Sequence, residues 1–171
     1  MTVRVQLEDF DIGAEIAAMT GGRQDIGALV TFTGLVRGSD AAETDTAEND
    51  AAENDAAGIM ADRALKSMTL EHYPGMTEAE LTRVEAQAHE RWPLQASLII
   101  HRFGELKPGD NIVLVVTASK HRLAAFEAAE YLMDYLKTQA PFWKKETAMD
   151  GSGEWVDARQ ADDVALSRWA K

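Results

Sequence analysis

The chain of 171 residues contains no cysteine. This absence excludes disulfides, cysteine nucleophiles, thiolate metal sites and persulfide relays on this chain. Any sulfur chemistry in which the protein takes part must use sulfur that another molecule delivers.

Long hydrophobic runs are also missing. No apolar stretch approaches the roughly 18–20 residues that a membrane span needs. The first residues, MTVRVQLEDF, alternate between apolar and polar instead of forming the apolar block of a signal peptide. We therefore expect a cytoplasmic protein. Its 46% hydrophobic content is enough for a buried core, so residues 1–171 are predicted to form one domain.

One stretch lacks basic residues. Residues 40–62 hold eight Asp and Glu and no Lys or Arg, and without these eight the chain has 21 acidic against 17 basic residues. Outside this stretch the negative and positive charges nearly cancel, which argues against nucleic-acid binding driven by net charge. The low-complexity tract at 38–62 is predicted to be a mobile acidic loop insertion, either a tolerated solvated segment or an interaction tail.

The patterns along the chain predict an α+β domain. Neither GxGxxG nor GxxxxGK(S/T) occurs in the sequence, so both standard nucleotide-binding motifs are absent. Alternating or β-branched segments predict strands, and three-to-four spacing predicts helices. The predicted strands cover 2–8, 27–37, 65–72, 95–103, 111–118, 142–148 and 154–158; the predicted helices cover about 11–20, 77–91 and 121–140, and Thr77 with Glu80 has the spacing of a capping box.

The third predicted helix carries the first candidate chemistry. Small or apolar residues recur along one buried face, at Ala125, Ala128, Leu132, Leu136 and Ala140. Lys137 follows Met133 by one turn, and apolar surroundings favour the neutral, nucleophilic form of a lysine. Taken alone, Lys137 also fits a surface lysine whose stem lies on apolar surface.

His121 and Arg122 follow a strand and begin that helix. Free backbone N–H groups and the helix dipole add to the two side-chain cations, which favours an anion-binding role. His121 and Lys137 are sixteen residues apart, or about 24 Å along one helix. One small ligand cannot contact both within a single subunit, so we hypothesise that such a site is shared across a dimer interface.

Further cations flank an aromatic pair. Lys144 and Lys145 alternate on a strand, so only one of them faces a given pocket, beside Phe142 and Trp143. Arg37, at a strand end before the acidic loop, fits either a phosphate clamp or an edge charge.

His101 and Arg102 lie together at the end of a strand. They fit either a functional site or a structural pair, and the sequence does not decide between the two. His72 and His89 are read as structural, and Glu127, Glu130 and Asp134 as surface charges.

Several segments together resemble the large, catalytic subunit of molybdopterin synthase. They are VTFTGLVR (30–37), LEHYPGMTEAEL (70–81), IIHRFGELKPGD (99–110), the block from SKHR to PFWKKE (119–146) and EWVDAR (154–159). Their combination and order are far more specific than any one motif.

The resemblance implies an α/β-hammerhead fold with two to three main helices, and a homodimer. It implies that each subunit binds a small ubiquitin-like sulfur-carrier protein, giving a heterotetramer. The carrier's C-terminal Gly-Gly thiocarboxylate would donate sulfur to cyclic pyranopterin monophosphate, a phosphorylated pterin, in molybdenum cofactor biosynthesis. No bound cofactor and no metal site are expected.

By matching motif positions, Lys137 and Lys144 are implied as catalytic lysines. The implied substrate-binding residues are Arg37, His121, Arg122, Arg159, Met133 and Phe142, some of them contributed by the other subunit. A non-catalytic scaffold that captures the carrier's acidic tail is the alternative from a different class. A Schiff-base lysine enzyme is a weaker third interpretation, because no carboxylate partner is evident.

Overall fold

The computed structural model describes residues 2–38, 64–156 and 168–169. Within these ranges the elements are β1 (Val3–Gln6), α1 (Ile12–Thr20), β2 (Ala28–Leu35), β3 (Leu65–His72), α2 (Met76–Arg91), β4 (Leu94–Arg102), β5 (Gly104–Leu106), β6 (Asn111–Ser119), α3 (Arg122–Thr138), β7 (Phe142–Ala148) and β8 (Gly153–Val156). None of the helices in the described ranges combines the length and the apolar character that a membrane span requires.

The first sheet has the strand order β1-β4-β6-β2. β1 runs parallel to β4, whereas β4 and β2 are antiparallel to β6, so the sheet is mixed. The apolar run of β6 occupies an interior position, where both faces of a strand are covered. Alternation along the interior strands then sends successive side chains to opposite layers.

Helices cover both faces of this sheet. On one face α2 and α3 bury Leu81, Val84 and Leu132 against Ile99 and Val115. On the other face the segment of Phe10 and α1 covers a second cluster, formed by Phe10, Leu98, Ile100, Leu114 and Val116. The buried stripe predicted for α3 is confirmed at Ala125, Ala128, Leu132 and Leu136, and Ala140 is partly buried.

The second sheet is antiparallel throughout, in the order β5-β3-β7-β8. A third apolar cluster of Val36, Met68, Leu70 and Leu106 joins it to the chain that leaves β2. Val36 also bonds through its backbone to Gly109 and Asp110, in the turn before β6. The second sheet therefore lies at the end of the first sheet where β2 finishes and β6 begins.

The predicted α+β class is confirmed, with three helices and two sheets in the described ranges. The predicted element order was one strand short, because β5 is only three residues long and has no alternation to detect. The capping box was placed two residues too late. Gly75 is the N-cap and Glu78 bonds back to its N–H at 2.6 Å, whereas Thr77 lies inside α2 and is buried.

The prediction that His89 is structural is confirmed, because its ring belongs to a hydrogen-bond network between α2 and β4. Its Nε2 lies 2.7 Å from the Ser97 hydroxyl, which donates to the buried Glu85 carboxylate at 2.5 Å. The same carboxylate oxygen accepts from the Thr2 N–H at 2.8 Å. This network ties α2 to β4 and to the residue before β1. The acidic insertion predicted at 38–62 lies outside the described residues except for Gly38.

Candidate active site

Helix α3 separates two groups of candidate residues. His121 is its N-cap residue and Lys137 lies in its last turn. The helix is continuous between them, so the predicted separation of about 24 Å applies to the folded chain. His121 and Lys137 therefore cannot contact one small ligand within a single chain.

A cleft of about 650 Å³ opens at the N-terminal end of α3. Its lining combines the polar side chains of Lys120, His121 and Arg122 with the apolar side chains of Leu123 and Phe126. The cation-rich helix start predicted from the sequence thus borders a cleft. Lys120 was not singled out from the sequence, although its place directly before His121 is a signal that could have found it.

Arg37 lies far from this cleft in the same chain. Ala28, at the start of β2, pairs with Ser119, whereas Leu35, at its end, pairs with Asn111. Seven residues of extended strand span roughly 23 Å, and Arg37 follows Leu35 by two residues. The sequence grouped Arg37 with His121 and Arg122 around one pterin, and a single chain does not bring them together.

Lys144 lies on β7 of the second sheet, paired with Leu70. Its ammonium is 2.9 Å from the Glu146 Oε1, and its side chain is 31% exposed. Lys145 points to the opposite face, where its ammonium lies 5.9 Å from the Trp155 ring centroid. The prediction that only one of these two lysines can face a given pocket is confirmed.

Phe142 begins β7 and stacks on His101, with ring centroids 3.7 Å apart and planes 17° apart. Burial lowers the pKa of His101 to about 4, although the hydrogen bond between its Nδ1 and the Arg102 carbonyl, 2.8 Å long, opposes the shift. His101 is therefore neutral near pH 7, and a neutral ring stacks on phenylalanine without a buried charge. The open question over His101 is resolved in favour of a packing role.

The C-terminal end of α3, the start of β7 and the end of β2 lie at one end of the molecule. Phe142 packs in the same core cluster as Leu136, one residue before Lys137. Val36, one residue before Arg37, shares its cluster with Leu70, the register partner of Lys144. The segments that carry Lys137, Lys144, Phe142 and Arg37 are thus neighbours, and those that carry His121 and Arg122 lie at the other end.

The remaining candidates differ in their surroundings. Met133 is partly buried and packs against the main core cluster. Lys137 is exposed, so its own chain does not supply the apolar burial that was expected of it. Arg37 is also exposed, and Arg159 lies outside the described residues. Glu146 was missed by sequence reasoning, although its place two residues after Lys144 on a strand puts both on one face.

Glu127, Glu130 and Asp134 were predicted to be surface charges, and the structure differs. The side chain of Glu130 is exposed as predicted, but that of Asp134 is largely buried, and Glu127 accepts a hydrogen bond from the Trp92 indole at 2.8 Å. Glu130 and Asp134 form ion pairs with Arg168 at 2.8 and 2.7 Å. Trp169 donates its indole N–H to Asp134 at 2.6 Å and packs edge-on against Trp92 and Tyr131. These contacts attach residues 168–169 to the helical layer.

The chain is similar to known proteins along most of its length. A model of the MoaE protein family matches residues 5–139. A molybdopterin synthase catalytic subunit from Mesorhizobium japonicum is 53% identical over 98% of this chain and 92% of its own length. The solved molybdopterin biosynthesis MoaE protein from Burkholderia ambifaria is 46% identical with a TM-score of 0.74, covering 99% of this chain and 98% of its own.

A more distant structure, that of molybdopterin synthase from Staphylococcus aureus, is 28% identical with a TM-score of 0.70, covering 90% of this chain and 96% of its own. The similarity extends over nearly the whole length of these chains. The chain belongs to the MoaE protein family, whose curated relatives are molybdopterin synthase catalytic subunits.

Proposed function

We propose that this chain is the catalytic subunit of a molybdopterin synthase, which transfers sulfur from the C-terminal thiocarboxylate of a small ubiquitin-like carrier protein to cyclic pyranopterin monophosphate. The observation that carries the proposal is the meeting of the Lys137 and Lys144 segments at one end of the chain, in a protein whose relatives bear the name of this enzyme. A carrier that brings its own sulfur accounts for chemistry by a chain without cysteine.

Lys137 and Lys144 act as the catalytic residues in this proposal. One ammonium pairs with the thiocarboxylate of the carrier tail and stabilises the negative charge that develops during transfer. Lys144 serves acid–base steps as the cyclic phosphate opens. In each transfer the thiocarboxylate sulfur bonds to a carbon of the pterin side chain while a carbon–oxygen bond at that carbon breaks. Water then hydrolyses the acyl–sulfur bond, so the sulfur stays on the pterin as a thiol and the carrier ends in a carboxylate.

The phosphorylated pterin meets the proposed substrate-binding residues Arg37, His121, Arg122, Arg159, Met133 and Phe142. Guanidinium and imidazolium groups suit a phosphate, because they form charge-assisted hydrogen bonds with its oxygens. The apolar side chains of Phe142 and Met133 suit the flat ring system of a pterin.

A second copy of the chain completes the site. β2 is an edge strand of its sheet, and Phe32 and Leu35 on it are exposed. Leu123 and Phe126 of α3, which line the cleft, are also more than 60% exposed. Exposed apolar residues on an unpaired sheet edge are typical of a protein–protein interface. In a dimer with a two-fold axis, the same patch of each copy contacts that of the other.

The direction of β2 determines what such a dimer brings together. If two β2 edges face each other antiparallel, the end at Ala28 in one copy lies beside the end at Leu35 in the other. The cleft of His121 and Arg122 then approaches the Arg37 and Lys144 end of the partner. This arrangement gathers the two groups that a single chain keeps more than 20 Å apart.

The assembly that follows is a homodimer with one carrier protein on each subunit, a heterotetramer located in the cytoplasm. We also propose that residues 1–171 form one domain into which the acidic segment 38–62 is inserted.

Turnover tests the function directly. The purified chain is incubated with thiocarboxylated carrier and cyclic pyranopterin monophosphate, and the dithiolene product is measured. The proposal predicts multiple turnovers that stop in Lys137→Ala and Lys144→Ala. A scaffold would bind the carrier tail and yield no dithiolene, and that outcome would overturn the proposal.

A further inference from the structure

His72 lies diagonally across from Lys144 on one face of the second sheet. The register pairs Leu70 with Lys144 and His72 with Phe142, so all four side chains leave the sheet on the same side. Diagonal neighbours in an antiparallel pair lie about 7–8 Å apart at their Cα atoms, within reach of long side chains. The imidazole of His72 is therefore a neighbour of the Lys144 stem.

The Nδ1 atom of His72 is buried and has no hydrogen-bond partner among the described residues. Its ring packs between Phe103, at a centroid distance of 4.5 Å, and Phe142, at 6.1 Å. A buried polar atom without a partner destabilises the folded chain, because it gives up its hydrogen bond to water and gains none in return. A phenyl ring would fill this space without that cost, so packing alone does not account for a histidine at this position.

His101 provides the contrast within the same ring stack. Its Nδ1 is satisfied by the Arg102 carbonyl at 2.8 Å, and its ring lies on Phe142. Of the two imidazoles that contact Phe142, one has a paired Nδ1 and the other has an unpaired Nδ1. The unpaired one is the neighbour of Lys144.

Lys144 has more donors than its present acceptor can use. An ammonium carries three N–H groups, and Glu146 accepts one of them at 2.9 Å. In the free chain the side chain is 31% exposed, so water can accept the others. When a carrier tail covers the lysine and displaces that water, the tail carboxylate supplies a second acceptor and a third is still needed.

We propose that His72 is a positioning residue for Lys144, whose Nδ1 accepts the third hydrogen bond of the Lys144 ammonium when the carrier tail occupies the site. The inference rests on the role proposed for Lys144 above. Glu146 on β7 and His72 on β3 then hold the ammonium from two sides, and neutral His101 on β4 adds no competing charge.

Three substitutions of His72 distinguish the contribution of its Nδ1 atom from that of its aromatic ring. His72→Phe keeps the ring and removes both nitrogens, His72→Asn keeps a polar atom near the place of Nδ1, and His72→Gln keeps one near the place of Nε2. We expect kcat to fall about 10- to 100-fold in His72→Phe and His72→Gln, with KM for the carrier unchanged, whereas His72→Asn stays within about threefold of the wild type. Full activity in His72→Phe, or equal loss in all three variants at unchanged thermal stability, would overturn the role.

The role of His72 can also be tested without an activity assay, so that its failure is distinguishable from failure of the proposed function. The Nδ1 nitrogen resonance of His72 is followed by NMR while a peptide ending in Gly-Gly is added to the intact protein. We expect a shift that disappears in Lys144→Met. A saturated complex with an unshifted resonance, or with the same shift in Lys144→Met, would contradict the role of His72, whether or not dithiolene forms.

Discussion

The ammonium of Lys144 lies 2.9 Å from the Oε1 of Glu146, two residues along the same strand. Both side chains leave the same face of β7, and neither is fully buried. The pair restrains a flexible lysine at the position where the carrier tail is proposed to enter. Because the pair is partly solvated, it contributes orientation more than stability.

Substituting Glu146 by Gln is expected to lower kcat by about fivefold, since a partly exposed ion pair is worth about 1 kcal/mol. The thermal midpoint should change little. Glu154→Gln is the matched control, because Glu154 faces Glu146 across the β7–β8 pair and is exposed. Steady-state turnover of both variants checks this, and equal activity in the two would remove Glu146 from the site.

Acid is expected to destabilise the protein through His101. Its pKa is about 4 in the folded chain against an ordinary 6.5, so between these values the unfolded chain binds a proton that the folded chain does not. The free energy of unfolding should therefore fall as the pH drops from about 7 to 4, by on the order of 3 kcal/mol from this group.

Urea denaturation at a series of pH values measures that dependence. His101→Phe keeps a ring on Phe142 and removes the titrating group, so its unfolding free energy should vary less over the same interval. Identical slopes in the variant and the wild type would show that His101 does not carry the effect.

Trp169→Ala should lower the free energy of unfolding by about 2 kcal/mol, because it removes two edge-on aromatic contacts and the bond to Asp134. Trp143→Ala is the matched control, since that indole is 51% exposed, and its cost should stay below about 1 kcal/mol. Chemical denaturation compares the two. Equal costs would mean that residues 168–169 do not stabilise the helical layer.

Gly27 borders the cleft, and a Cβ at this position would lie 2.3 Å from the Lys120 carbonyl oxygen. Gly27→Ala must therefore displace the backbone before His121, at an expected cost of about 1–3 kcal/mol. At Gly38 the added Cβ would meet Pro108 at an ordinary 3.7 Å, so Gly38→Ala should cost under about 0.5 kcal/mol. Thermal denaturation of both variants checks the difference, and a Gly27→Ala protein as stable as Gly38→Ala would contradict it.

The regular elements could be predicted because each carries its own period. The three-to-four spacing of Ala125, Ala128 and Leu132 predicted α3, and the alternation around Lys144 and Lys145 predicted their opposite faces. β5 could not be predicted, because Gly104–Leu106 is extended only by its pairing with β3. The start of α2 was misplaced because Gly75, at a φ of 83°, caps the helix without a side chain.

The sequence offers candidate residues for the site, but it does not show how they lie relative to one another. Residue types and motif order single out Lys137, Lys144 and His121, whereas their separation depends on how α3 and β2 lie in the fold. Glu146 was not singled out, although it follows Lys144 by two residues on a strand. His72 was interpreted as structural, because its place beside Lys144 depends on the β3–β7 register. The sixteen-residue spacing of His121 and Lys137 led to the hypothesis of a site shared between two copies of the chain, but it does not specify how the two copies face each other.

Mixing two inactive variants tests the shared site most directly. Lys137→Ala and His121→Ala proteins are unfolded together, refolded as mixed dimers and assayed for dithiolene formation. Half of the dimers are mixed and each has one intact site, so activity should return to about a quarter of the wild type. A mixture of Lys137→Ala and Lys144→Ala should stay inactive, because both lysines belong to the same end of one chain. Failure of the first mixture to regain activity, with mixed dimers shown to be present, would contradict the shared site.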